Sequence, residues 1–189
     1  MINPNIKAFF DPETWTFTYV VYEKPATPCV VIDSVLNFDP KSGRTSTNSA
    51  DELITFIQKN HLQLAWILET HAHADHVTGS WLLHEATGCA IGLAAAARAK
   101  NVTIPLQHGD RLSFGVRWLE VRSTPGHTNS CLSFVLDDQS MAFSGDALLV
   151  RGCGRCDFQQ GNPHTLWASI TQQLFSLPDS CLLYPGHDY

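Results

Sequence analysis

The sequence predicts an α/β protein in which mixed strands lie beneath outer helices, and three observations predict it. A chain of 189 residues with 44% hydrophobic and 16% charged residues is long enough and apolar enough to bury a sizeable core. Its first half alternates short apolar strand runs with helical patterns, and from Arg111 onward four short strand runs follow one another, broken by Gly, Pro or Asp. The composition excludes a disordered tail, a collagenous fibre and a coiled coil. Twelve basic against eighteen acidic residues give a formal charge of −6, which offers no general attraction to nucleic acid or anionic lipid. No run approaches the roughly 20 apolar residues of a membrane helix. The opening MINPNIKAFF lacks the basic flank and apolar stretch of a signal peptide, so a cytoplasmic protein is expected. Six cysteines in a chain of this length read as reduced thiols rather than a disulfide scaffold.

Taken in order, residues 16–22 and 28–33 are rich in β-branched and aromatic types and read as two strands, with Asp33 at the end of the second. Residues 37–48, with Pro40 and Gly43, read as a polar loop. Ser49-Ala50-Asp51-Glu52 then has capping-box spacing before the helical set Leu53, Ile54, Ile57, and this helix should stop near Asn60. The continuous apolar run 64–68 suits a strand buried on both faces. A helix over 78–86, a short strand at 89–91 and an alanine-rich helix over 94–100 follow. The four strand runs of the second half are 112–114, 117–121, 132–136 and 141–144. Asn162-Pro163 has the form of an N-cap with proline in the first turn, opening a helix to about Phe175, and a last strand covers 181–184. Without a linker, a repeat or a low-complexity stretch, residues 1–189 read as a single domain.

The chemistry concentrates at the ends of these strands. The apolar run 64–68 leads into Thr70-His71-Ala72-His73-Ala74-Asp75-His76, three imidazoles and a carboxylate within six residues, all candidate ligands for a transition metal. Crowded imidazoles lose solvation and repel one another when protonated, so a bound cation is the simplest reason to assemble them. Three further strand ends carry a donor beside a glycine: Pro125-Gly126-His127-Thr128, Ser144-Gly145-Asp146 and Pro185-Gly186-His187. Glycine permits a sharp turn and close approach to a ligand. His61, His84, His108 and His164 match no motif and are expected to be surface or structural residues.

The ordered set THAHADH, PGHT, SGD and a final PGH, spanning residues 70 to 187, resembles the metallo-β-lactamase superfamily. That resemblance implies an αβ/βα four-layer sandwich, two mixed sheets flanked by helices, with the metal site at one sheet edge. A fold does not fix a reaction, and the stretch after Asp146 is the discriminating one. GDALLVRGCGRCDFQ, followed near the end by PGHDY, is similar to the sulfur (persulfide) dioxygenases. The resemblance implies an oxidoreductase with one Fe(II) held by His71, His127 and Asp146, the residues that would be both catalytic and metal-binding. Two imidazoles and a carboxylate on one face leave room for O₂ and a substrate sulfur. The implied reaction oxidises the terminal sulfur of glutathione persulfide to sulfite and releases glutathione, with a homodimer compatible. In hydrolytic relatives His73, Asp75, His76 and His187 would complete a second metal position. In the dioxygenases these four, with Asp188, would orient ligands and water by hydrogen bonds.

Arg151, Arg155 and Tyr184 are candidate contacts for the glutathione moiety, although Arg155 or Arg151 could equally brace its own loop against Asp157. Cys153-x-x-Cys156 lacks the second pair of a zinc ribbon. Cys153 belongs to the GCG turn and Cys156 is a candidate thiol relay. Two rivals stand beside the dioxygenase: a glyoxalase II-like thioester hydrolase with two zinc or iron ions, and a metal-binding protein without turnover. The hydrolase carries a long helical extension after the final PGH. Sulfur dioxygenases also continue beyond that point, so the chain reads as short at its C-terminus against either family.

Overall fold

The computed structural model describes residues 3–189. Strands β1 (Asn5–Asp11), β2 (Thr16–Tyr22) and β3 (Pro28–Ile32) form an antiparallel meander, followed by the hairpin β4 (Val35–Asp39) and β5 (Arg44–Ser46) and by helix α1 (Asn48–Lys59). Next come β6 (Gln63–Leu68), β7 (Val77–Thr78), α2 (Ser80–Thr87), β8 (Ile91–Ala94) and β9 (Ile104–Leu106). The second half contains β10 (Arg111–Phe114), β11 (Arg117–Ser123), β12 (Leu132–Leu136), β13 (Met141–Gly145), α3 (Pro163–Ser169) and β14 (Leu182–Pro185).

The strands form a six-stranded sheet, β1-β2-β3-β6-β8-β9, a five-stranded sheet, β10-β11-β12-β13-β14, and a small sheet β5-β4-β7. Alternation along each strand builds the layers. Val21, Val30, Ile32 and Leu68 face Leu119, Val121, Phe134 and Phe143 between the two large sheets. Val20, Val31 and Ile67 point the other way, under Leu53 and Ile57 of α1 and Leu83 of α2. On the far side Val135 and Ala142 pack under Leu166 of α3 and Ile170. The result is the αβ/βα four-layer sandwich. Each fully buried Leu, Ile, Val or Phe in these layers contributes roughly 1.5–3 kcal/mol. No helix among the described residues is long and apolar enough to cross a membrane.

Several expectations need correction. The loop expected over 37–48 contains the hairpin β4–β5, whose turn uses Gly43 at φ 68°. The capping box at Ser49 does not form. Thr47 is the N-cap residue, its hydroxyl donates to Asp51, and Ser49 is engaged instead with Asn37 through two hydrogen bonds of 2.8 and 2.9 Å. The alanine-rich helix shrinks to one 3₁₀ turn, Ala95–Ala97. Ala94 is claimed by β8, where it pairs with Leu106, so tertiary pairing overrides helix propensity. Asn162 does cap α3, its side chain accepting from the Thr165 N–H at 3.0 Å.

Topology delivers the site. β3 and β6 are parallel, as are β13 and β14, so each pair releases its following loop at the same end of its sheet. Gly145, at φ 51°, ends β13 against Thr70, where an added Cβ would come within 2.6 Å of the Thr70 hydroxyl. The Leu132 N–H donates to the Thr70 carbonyl at 2.7 Å. The loop after β6 is thereby fastened to the opposite sheet.

Candidate metal centre

The four motif loops converge. Donor atoms of His71, His127 and Asp146 lie within 4.8 Å of one another, and the same holds for His73, Asp75 and His76. His187 joins the two groups, its Nε2 standing 3.2 Å from Asp75 and 3.5 Å from Asp146.

Hydrogen bonds decide which nitrogen of each ring faces inward. The Thr70 hydroxyl donates to Asp33 at 2.8 Å and therefore accepts from His71 Nδ1 at 3.0 Å. His127 Nδ1 donates to the Arg155 carbonyl at 2.8 Å and His187 Nδ1 to the Trp15 carbonyl at 3.1 Å. All three rings thus present Nε2 to the cluster. His73 is reversed: its Nε2 is 3.1 Å from both Asp33 and Glu69, and Nδ1 is the atom left over. His76 Nδ1 lies 3.3 Å from Asp75 and leaves Nε2 over.

Asp33 and Glu69 are participants that sequence reasoning did not assign to the site. Both are buried. Asp33 accepts from the Thr70 N–H at 2.7 Å, and Glu69 accepts from the hydroxyls of Thr78 and Ser80. The available signals were an aspartate directly after the apolar run of β3, and a glutamate touching the histidine motif. Burial alone would raise the Asp33 carboxyl, but His73 and the bonds from Thr70 outweigh it and hold the group below the usual carboxylate range. His73 shows the mirror image: burial opposes its charge, and the two carboxylates lift it well above the usual imidazole range. Burial, followed by the neighbouring His73 and His127, holds His71 well below that range. The lone pair of His71 Nε2 is therefore available. Burial raises the carboxyl of Asp146.

Among the described residues, this constellation leaves His73 Nδ1, His76 Nε2 and Asp146 Oδ1 buried without a hydrogen-bond partner. Each such atom costs about 1–3 kcal/mol if left unsatisfied. Imidazole nitrogens turned inward beside a buried carboxylate are a donor set that fits a transition-metal ion.

A cleft of 510 Å³ opens over His127 and Asp146, edged by Leu149, Cys153, Phe158 and Tyr189. Arg155 lies on its rim, two-thirds exposed and engaged with Asp157 at 2.8 and 2.9 Å, so the bracing arrangement is the one adopted. Three expected residues stand elsewhere. Tyr184 packs its ring on Tyr19 and Phe143 in the core between the sheets, Arg151 is exposed on a turn outside the cleft, and Asp188 is exposed with its N–H on the Trp15 carbonyl. The Cys156 thiol turns toward the core beneath α3, and the thiol on the cleft is that of Cys153. His84 and His108 bond to main chain away from the cluster.

Residues 16–187 match the family described as the metallo-beta-lactamase superfamily. The mitochondrial persulfide dioxygenase ETHE1 of Homo sapiens is 42% identical over 185 residues, covering 97% of this chain and 68% of that protein. Among solved structures, ETHE1 from Myxococcus xanthus superposes with a TM-score of 0.87 at 38% identity, covering all of this chain and 76% of that one. The BLEG-1 B3 metallo-beta-lactamase superposes at 0.81 with 26% identity, covering 98% and 92%.

Proposed function

The chain belongs to the metallo-β-lactamase superfamily, and on that premise we propose that it is a persulfide dioxygenase, oxidising the terminal sulfur of glutathione persulfide to sulfite. In balanced form, persulfide, O₂ and water give glutathione and sulfurous acid. The observation that carries this reading is the triad His71, His127 and Asp146, of which His127 and Asp146 line an accessible cleft while His71 lies buried behind them, in a chain similar over nearly its whole length to persulfide dioxygenases.

His71 Nε2, His127 Nε2 and the Asp146 carboxylate would hold one Fe(II). The ion would supply the redox chemistry that joins oxygen to sulfur. The protein's own contribution is placement. Thr70 and Asp33 fix the His71 ring, and the Arg155 carbonyl fixes that of His127. Leu149 and Phe158 give the cleft apolar walls that limit water around the substrate sulfur. Arg155 reaches a carboxylate of the glutathione moiety by exchanging Asp157 for it, a swap between equivalent bidentate partners at an exposed site.

A dinuclear thioester hydrolase is the second reading, favoured by the additional donors His73, Asp75, His76 and His187. One experiment separates the two. Protein purified anaerobically is assayed for metal per chain, for O₂ uptake with glutathione persulfide, and for hydrolysis of a glutathione thioester. About one iron per chain with persulfide-dependent O₂ uptake is the expected result. Two metals with thioester cleavage and no O₂ uptake overturn it.

A further inference from the structure

The segment Cys153-Gly154-Arg155-Cys156 does two things at once. Its ends are cysteines, and its middle is the main-chain support of the metal centre. The Gly154 N–H donates to the Asp146 carbonyl at 2.8 Å, and a Cβ at Gly154 would come within 2.7 Å of His127 Nδ1. The carbonyl of Arg155 is the acceptor for that same Nδ1. Cys153 is exposed on the cleft that His127 and Asp146 also line. Cys156 is half-buried, and its Sγ folds back over the segment to the Gly154 carbonyl at 3.6 Å. Burial, followed by the nearby Cys153, pushes the Cys156 thiol up. The two thiols stand three residues apart in the chain and differ in access.

We propose that Cys153 is a persulfide-accepting thiol with Cys156 as its resolving partner, and that closing the bond between them loosens the metal centre by withdrawing the main-chain support of His127. The inference rests on the dioxygenase reading for its sulfur donor, a low-molecular-weight persulfide. In the first step the Cys153 thiolate attacks the outer sulfur of the persulfide. The donor's S–S bond breaks, its thiolate leaves as the free thiol after taking a proton, and Cys153 carries the sulfur as its own persulfide. In the second step the Cys156 thiolate attacks Cys153 Sγ and expels hydrosulfide, leaving a disulfide. Two thiols are oxidised, and one sulfane sulfur is reduced to sulfide. Closure holds the two Cα atoms about 4.4–6.8 Å apart and must bring the Cys156 thiol from its place under α3 to the Cys153 thiol on the cleft, a turn that would bend the Gly154-Arg155 unit between them. The Arg155 carbonyl then moves from His127 Nδ1, and the ring loses the bond that fixes its orientation. Persulfide in excess would in this way slow the enzyme that consumes it.

The test uses the full metal-loaded chain, treated anaerobically with glutathione persulfide and followed by intact mass, peptide mass and release of metal to a chelator. The wild type should lose two hydrogen atoms in a 153–156 cross-link reversed by dithiothreitol, and should release metal about tenfold faster or more, the usual effect of losing a ligand's supporting bond. Cys156→Ser should stop at the first step, carrying one extra sulfur on Cys153 with no faster release. An unmodified Cys153 in that variant overturns the proposal, as does a cross-linked wild type that releases metal no faster. Persulfide-dependent O₂ uptake is measured in parallel. Uptake with Cys153 unmodified overturns this inference alone, whereas modification with faster release and no uptake supports it and counts against the dioxygenase reading.

Discussion

The two walls of the metal centre are built differently. The wall that carries His71 and His73 is backed by buried side chains: Asp33, Glu69, Thr70, Thr78 and Ser80 form a charged hydrogen-bond network behind the rings. The wall that carries His127 is backed by the main chain of residues 153–156, a segment whose side chains are mostly exposed. A buried charged network is costly to break, because a lost partner leaves an unpaired charge out of water. A main-chain contact on an exposed segment yields at little cost. The inner wall therefore fixes the geometry, and the outer wall, beside the open cleft, is where the centre can adjust.

Asp146 stands between the walls, its donor atom within 4.8 Å of those of His71 and His127, so its removal should have the largest effect. Asp146→Ala is expected to abolish both metal retention and turnover, as read by metal analysis and O₂ uptake, and survival of either would contradict the ligand set. Breaking only the inner wall comes next. Asp33→Ala leaves the Thr70 N–H and hydroxyl without their acceptor and the His73 ring with only one of its two carboxylates, Glu69, and should destabilise the protein by about 3 kcal/mol, measured by denaturant unfolding of the metal-free form.

The same wall should respond to pH. The Asp33 carboxyl sits below the usual range, so its contribution to stability is complete above the unfolded pKa of about 3.9 and is lost as pH falls through the lower folded value. Asp33→Asn should remove that part of the acid limb, and an unchanged acid limb would show that the pair contributes nothing there. Breaking the outer wall should separate metal affinity from folding. Gly154→Ala drives a methyl group to within 2.5 Å of the Asp146 carbonyl and 2.7 Å of His127, and should weaken metal binding about tenfold or more with a smaller shift in unfolding. The smallest structural effect belongs to Arg155→Ala, whose partner Asp157 is equally exposed. Its unfolding midpoint should stay unchanged while KM for the persulfide rises at constant kcat, and a fall in kcat instead would place Arg155 in the chemistry.

Local pattern carried much of the fold. The strands from 16 to 22 and from 132 to 136, and the Asn162 cap with Pro163, are visible from residue type and spacing because each is decided by near neighbours. Where local pattern misled, a distant partner had intervened. Ala94 left its alanine-rich helix to pair with Leu106, and the polar stretch after Asn37 became a hairpin whose β4 strand also pairs with β7 through Val35 and Leu36. Tyr184 looked like a substrate contact beside the final motif, but alternation along β14 turned its ring into the core.

By itself the sequence determined the donors and the order of the four loops that present them, since a histidine or aspartate beside a glycine at a strand end is a local fact. Which ring nitrogen faces inward, which carboxylates stand behind the rings and which thiol meets the cleft were decided only by the tertiary structure. These depend on contacts between residues far apart in the chain: 37 positions from Asp33 to Thr70, 28 from His127 to Arg155 and 172 from Trp15 to His187. Spacing sets local backbone geometry, whereas the hydrogen-bond partner of a buried atom is fixed by whatever the rest of the chain brings against it.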